Sequence, residues 1–528
     1  MTSVHARPKR PPTPADHAPA RPVGRLSAAL VVGVGAASMI VYSLGQWRAM
    51  EVPSWDLAIF SELAKAYSRL QAPIVPIKGE GYNLLGDHFH PILVLLGPVW
   101  RLFPSPLALL VLQDLLLAAS AWPLTRLATR LLGPPVATAL GLFYVLSWGL
   151  QGAVASQFHE IAFAVPLLAW ASVAFVEGRW RSCALWLVPL VLVKEDLGLT
   201  VFMAGLAIAL RGRLGAPQQP ARRGPAWWRA LSTTRLGLAL ALFGVAAFLL
   251  TVGLLLPALS PSGTWEYGLS GDGNSTGLIA RLLSSEVKLQ TLGMLACTAG
   301  LIGLASPWMT LALPTLAWRL LSSNEFYWSW QNWHYNAVLM PIAIGALLDV
   351  VARIQARRPL PETGPADSAE LAEPDAEEPA EPAGRTPPRR PAVPMWEQWA
   401  IVLAILVPLT IGITTARDLP LWALLRPDYG TAPTRAAAAD QVMELVPDGA
   451  SVVTDLGLLA YLVPDHTVYW IGTATVDTDY VVIDSHSSAW GGNPPTNAAE
   501  WATDKSTRGS TYELMLEVDG YQVARRVS

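Results

Sequence analysis

The 528 residues are 52% hydrophobic and only 15% charged, with a mean hydropathy of +0.36. Soluble domains carry about 25% charged residues, so a soluble enzyme and a disordered scaffold are both excluded for the bulk of the chain. The formal net charge of −3 decides little, because a membrane chain is read by where its charges lie.

Residues 1–25 are basic and Pro-rich, and are expected to form a disordered cytoplasmic tail. Apolar runs then predict eleven membrane-spanning helices, near 26–46, 105–125, 134–152, 160–176, 182–194, 196–211, 236–256, 287–305, 307–322, 335–352 and 398–415. The first run is about twice the length of a signal-peptide core and reads as an uncleaved span. A single helix over 182–211 would hold Lys194, Glu195 and Asp196 in mid-bilayer, which costs several kcal/mol. Two short spans joined by a polar turn are expected there instead. Cys183 and Cys297 fall inside apolar runs, so no disulfide framework is implied.

The outer loop 47–104 carries two further segments. From Trp55 to Leu70 the apolar residues Leu57, Ile59, Phe60, Leu63, Ala64 and Tyr67 suit an amphipathic helix lying on the membrane surface. The stretch 88–103 is apolar but short and broken by Pro91 and Pro98, and reads as a re-entrant or surface-lying helix. That reading places 1–25, 126–133, 177–182, 211–235, 305–307 and 353–397 in the cytoplasm, where they hold 21 of the 37 basic residues. A spanning 88–103 would turn the Arg-rich loops outward, against the positive-inside rule. The 353–397 loop, with eight acidic residues between 362 and 381, is expected to be disordered.

After the last span, 416–528 lies outside the cell in this reading. Strand-like runs at Ser451–Thr454, Val468–Ile471, Tyr480–Ile483 and Tyr512–Val518 accompany helical patterns at Thr434–Leu445 and Leu456–Leu462. They predict a small α/β domain. No Gly-rich phosphate loop or metal pattern occurs in it, so its expected role is a lid or a partner-binding module. The fold class is thus an α-helical polytopic membrane protein with 26–352 and 398–415 as its membrane part and an extracytoplasmic α/β domain at 416–528.

With this topology every polar cluster of the membrane part falls on the outer face: Ser54-Trp55-Asp56, Asp87-His88-Phe89-His90, Gln157-Phe158-His159-Glu160, Lys194-Glu195-Asp196, Trp265-Glu266-Tyr267 and Asn332-Trp333-His334-Tyr335. Ionisable residues gathered at one set of span ends mark a cavity or a site. Asp56 suits a helix N-cap as well as a general base. His88 and His90 can anchor a helix end, contact a lipid phosphate, or ligate a metal with His159, Glu160 or His334 if folding joins the loops. Lys194 can be a local ion pair or a cation that holds a phosphate. The three Trp of 328–333 fit an interfacial aromatic belt or a sugar platform.

Trp55-Asp56 with Phe60, then His88-Phe89-His90-Pro91, Gln113, Phe158-His159-Glu160, Lys194-Glu195-Asp196 and His334-Tyr335 resemble, in order, the bacterial predicted membrane proteins of domain of unknown function 2079. The resemblance covers roughly 30 to 485 and is specific through the combination of motifs. That family is similar in layout to GT-C membrane glycosyltransferases, which carry an acidic residue in the first outer loop and use lipid-phosphate-linked sugars. The long acidic, Pro-rich insertion 359–394 departs from the family pattern.

The resemblance implies a GT-C-like fold, and the leading expectation is a GT-C-like transferase at the cell membrane, with membrane lipid and a polyprenyl-phosphate-linked sugar donor as partners and no nucleic acid among them. In it Asp56 deprotonates an acceptor hydroxyl. His88, His90 and Lys194 hold the donor phosphate, Glu160 or Glu195 orients the acceptor or a metal, and His159, His334 and Tyr335 complete the substrate site. A divalent metal is compatible with this sequence and not required by it. The rival expectation is a non-catalytic transporter or lipid-binding protein with the same outward cavity, although matched halves with Gly- or Pro-broken spans are not evident.

Overall fold

The computed structural model describes residues 22–51, 55–214, 231–265, 281–282, 284–356 and 395–528. Expectations for the N-terminal tail, the 215–230 stretch, Ser54, Glu266-Tyr267 and the 357–394 insertion lie outside the described residues.

The chain is a multi-pass membrane protein built mostly of helices, with one small sheet near its C-terminus. Six helical stretches among the described residues are long and apolar enough to cross a membrane: Gly24–Arg48, Pro106–Leu132, Pro134–Ala155, Thr233–Leu259, His334–Ala356 and Met395–Asp418. In chain order the helices are α1 (Pro22–Arg48), α2 (Trp55–Ser68), α3 (Leu96–Leu102), α4 (Pro106–Leu132), α5 (Pro134–Val145), α6 (Trp148–Ala155), α7 (Ile161–Val176), α8 (Trp180–Leu187), α9 (Leu197–Arg213), α10 (Thr233–Leu250), α11 (Glu286–Thr298), α12 (Leu313–Leu321), α13 (Leu339–Ala356) and α14 (Met395–Thr415). The ambiguous 88–103 stretch forms a short apolar helix over Pro91–Leu102, too short at about 1.5 Å per residue to cross about 30 Å of hydrocarbon.

Local chemistry sets these ends. Ser105 caps α4 by accepting the Leu107 N–H at 3.3 Å, and Pro106 fills the first helical position, where no N–H is needed. Gly133 ends α4 at φ +81, a backbone region that side-chain-bearing residues avoid, and Pro134 starts α5 at once. Between α9 and α10 glycines replace side chains altogether. A Cβ on Gly205 would lie 2.6 Å from Gly237 O, and one on Gly198 2.8 Å from Gly244 O. The two backbones are therefore in direct contact, as small residues allow between membrane helices. At the far end of α9, Arg211 meets Asp349 of α13, which also receives Arg353 at 3.2 Å and the Ser306 hydroxyl at 2.6 Å.

Beyond α14 come α15 (Ala436–Leu445), α16 (Leu459–Leu462) and α17 (Ala498–Lys505), around strands β1 (Ser451–Thr454), β2 (Thr467–Trp470), β3 (Tyr480–Asp484), β4 (Tyr512–Val518) and β5 (Tyr521–Arg526). The sheet order is β2-β1-β3-β5-β4. β1 runs parallel to β2 and β3, and β5 antiparallel to β3 and β4. The strand β5 was not among the expected ones. It follows a two-residue turn, Asp519-Gly520, with φ of +45 and +84, the combination that an Asp-Gly hairpin turn favours.

The surface helix differs from expectation in what covers it. Its apolar side packs on the bundle, but its other side is not open to water. Lys65 Nζ donates to the carbonyls of Val463 and His466, each at 2.6 Å, and Glu62 Oε1 accepts the Val468 N–H at 3.1 Å. Trp47 stacks on Tyr461 at 4.1 Å, and Trp55 meets Trp470 edge-on at 4.6 Å. A helix patterned as amphipathic is thus buried on both sides, because buried Glu62 and Lys65 satisfy the backbone of the α/β unit.

Candidate functional site

Asp56 lies in the first turn of α2, where a carboxylate favours the helix dipole. Its Oδ2 stands 3.4 Å from His159 Nε2; the Asp56 side chain is 32% exposed and that of His159 only 6%. His159 sits in the turn between α6 and α7. Its backbone N–H is accepted by Gln113 Oε1 at 3.0 Å, and Gln113 in turn donates to Ala153 O at 3.1 Å. The ring's Nδ1 lies 3.1 Å from Gln157 O, and Gln157 has a positive φ of +68.

Two ion pairs flank this histidine. Glu160, at the start of α7, accepts Lys194 Nζ at 2.8 Å. Glu195 binds His88 Nδ1 at 2.7 Å through one oxygen and the Phe89 N–H at 3.1 Å through the other. Lys194, Glu195 and Asp196 form the polar turn just before α9, so one short segment serves both pairs. Burial and Lys194 both act to lower the His88 pKa, yet Glu195 outweighs them and holds it above the ordinary value. The same contact holds the Glu195 carboxyl below its usual value against the effect of burial.

His88 and His90 are placed differently. His90 is buried with its ring edge-on to Phe60 at 6.0 Å. Burial lowers its pKa to about 4, so it is a neutral ring at physiological pH and brings no positive charge.

His334 begins a single 3-10 turn, His334–Asn336, after Trp333 at φ +58. It stacks on His159 with ring centroids 3.7 Å apart and 23° between planes, and tilts against Tyr335 at 4.2 Å. Among the described residues neither ring nitrogen of His334 has a hydrogen-bond partner, and the residue is 4% exposed. Beneath it, Arg319 donates to Asn336 Oδ1 at 2.7 Å and to the carbonyls of Tyr327 and Ser329 at 2.9 and 3.1 Å. Asn336 donates to three loop carbonyls, those of Ser329, Trp330 and Asn332. This framework holds the Trp-rich loop in place.

Lys194, Asp196, His334 and Tyr335 line a cleft whose apolar wall includes Ile161 and Trp318. Its volume of about 20 Å³ has room for one water. Asp196 Oδ1 has no hydrogen-bond partner among the described residues.

The structure therefore gathers Asp56, His88, His159, Glu160, Lys194, Glu195, His334 and Tyr335 from five separate chain segments, with His90 beside them on Phe60. Among the described residues no group of three His, Cys, Asp or Glu side chains is arranged to hold a metal ion. Gln113 and Asp196 stood in the sequence motifs without an assigned task. Arg319 and Asn336 were not singled out at all, although a lone Arg inside an apolar run is itself a signal, because such a charge needs partners.

The family model described as "Predicted membrane protein (DUF2079)" matches residues 48–523. No curated protein matches the chain.

Proposed function

The chain belongs to that family of predicted membrane proteins, and we propose that it is a GT-C-like glycosyltransferase of the cell membrane. In this reading it has eleven crossings, a cytoplasmic N-terminus, and residues 416–528 outside the cell. It moves a sugar from a polyprenyl-phosphate-linked donor to an acceptor hydroxyl at the outer face. The observation that carries the proposal is the placement of Asp56, a partly open carboxylate facing buried His159 beside the cleft of Lys194, Asp196, His334 and Tyr335. A carboxylate within reach of a hydroxyl can take its proton as the oxygen attacks. Lys194 and His88 supply the charge for a donor phosphate, His90 a neutral contact, and Glu160 and Glu195 hold those two cations in position.

A second reading, a lipid-binding protein or transporter without chemistry, is favoured by the ion pairs themselves. Lys194 and His88 each already face a carboxylate, so an incoming phosphate must compete for them. Asp56→Asn separates the two readings. Asn keeps an oxygen in the first turn of α2 but cannot accept the proton, and loss of base catalysis is worth about 10²–10⁴-fold. In a deletion strain the variant is expected to express normally and to fail to restore the envelope glycan that wild type restores. Normal expression with normal glycan would remove the transferase reading.

A further inference from the structure

The ring of His159 is held so that only one of its nitrogens is free to change its proton. Gln157 sits in the left-handed region at φ +68, which costs a non-glycine residue about 1 kcal/mol or more. That backbone brings Gln157 O to 3.1 Å from His159 Nδ1. A carbonyl oxygen only accepts, so Nδ1 keeps its hydrogen, and the ring gains or loses protons at Nε2. Nε2 faces Asp56 Oδ2 at 3.4 Å, with the carboxylate open to solvent and the imidazole buried behind it. Gln113 fixes the backbone of the same residue, and His334 stacks on the ring face, neither of its nitrogens hydrogen-bonded among the described residues.

We propose that Asp56 and His159 form a proton-carrying dyad, in which Asp56 takes the substrate proton and His159 Nε2 holds it. The inference rests on the transferase reading. The acceptor O–H bond breaks as its oxygen bonds to the anomeric carbon, and the proton goes to Asp56. The bond from the anomeric carbon to the phosphate oxygen breaks, and its electron pair leaves on that phosphate. The proton then passes from Asp56 to His159 Nε2, leaving a carboxylate beside an imidazolium, and returns to solvent through Asp56 after product departs. His159 acts through Asp56 and touches neither the acceptor nor the donor, so it is a positioning and proton-holding residue. The titratable groups against its ring are Asp56 from α2 and His334 from the aromatic loop; Glu160, next to it in the chain, faces His159 as well as Lys194, His334 and His88.

The test uses the full chain in lipid nanodiscs with 15N-labelled histidine. The chain has eight histidines, and His159 is assigned by its absence in His159→Gln or His159→Asn. Neutral His159 is expected to show the Nδ1–H form, and its Nε2 resonance to move in Asp56→Asn, which takes away the carboxylate that faces that nitrogen. An Nε2–H neutral form, or an Nε2 resonance unmoved in Asp56→Asn, overturns the dyad. The glycan assay is run on the same variants. Product lost in Asp56→Asn with the Nε2 resonance unmoved overturns the dyad and leaves the transferase standing. A moved resonance with product intact overturns the transferase reading, and the proton-carrying role with it.

Discussion

At one end of the bundle Lys194 and Glu160 hold each other's charge at 2.8 Å, with side chains only 12% and 3% exposed. Removing one member of such a pair costs about 3–5 kcal/mol because the survivor is left buried and uncompensated, whereas neutralising both is often tolerated. Lys194→Met is therefore expected to lower the thermal midpoint of the purified protein, and Lys194→Met with Glu160→Gln to recover most of it. Equal midpoints for wild type and the single variant would show that the pair carries no stability. The same two proteins also test the phosphate role of Lys194. Product should be absent from both, and a double variant that makes product would take Lys194 out of the donor site. The participants were legible in the sequence because an ionisable side chain at a span end is costly without a partner. Their pairing was not. His88 and His90 are neighbours in sequence, yet one meets Glu195, 107 positions away, and the other packs on Phe60. The part played by Gln157 comes from its backbone, which no residue type announces.

Among the elements, α2 joins the membrane part to the α/β unit through Glu62 and Lys65, and that join titrates. Glu62 is buried, and burial raises its pKa to about 7 despite the opposing effects of Lys65 and the Val468 N–H. A folded-state pKa above the unfolded one means that the docked form binds the extra proton. Docking is then fully favoured below the ordinary carboxylate range and weakens as pH rises from about 4.5 to about 7, by at most about 3 kcal/mol. Lys65 and Arg69 adjoin this carboxyl, and Asp465 adjoins Lys65. His466 works in the opposite sense, because burial lowers its pKa. Amide exchange at Val468, corrected for its intrinsic pH dependence, should be better protected at pH 5.5 than at pH 7.5. Glu62→Gln keeps the accepting oxygen and should flatten the difference, since nothing titrates there. An unchanged pH dependence in Glu62→Gln would assign it to another group, and not to His466, whose effect has the opposite sign. Apolar spacing was enough to read α2 as a helix, but Glu62 and Lys65 look like its wet face until Val463, His466 and Val468 arrive from about 400 positions away. The hairpin β4–β5 was overlooked for a local reason. Asp519-Gly520 is a strong turn signal, but Tyr521–Arg526 ends in two arginines that mask its buried first half.

For the whole molecule the decisive quantity is the side on which the cluster faces. Basic residues concentrate in the segments assigned to the cytoplasm, 21 of 37, and Lys and Arg resist translocation in short loops. The polar cluster and the sheet are joined through α2, so they share one side, and that side must be the outer one if 215–230 is inside. Cys183 is buried and Cys297 partly so, and both can be replaced by Ser to give a background without thiols. In that background Arg222→Cys is expected to react with a membrane-impermeant maleimide only after the membrane is opened. Glu500→Cys, on the exposed face of α17, is expected to react in intact cells. Each position is the other's control for expression and for reagent entry. Labelling of Arg222→Cys alone in intact cells would place Asp56, His159 and the cleft on the cytoplasmic side. A donor presented at the outer face would then be out of their reach, and a cytoplasmic substrate would have to take its place.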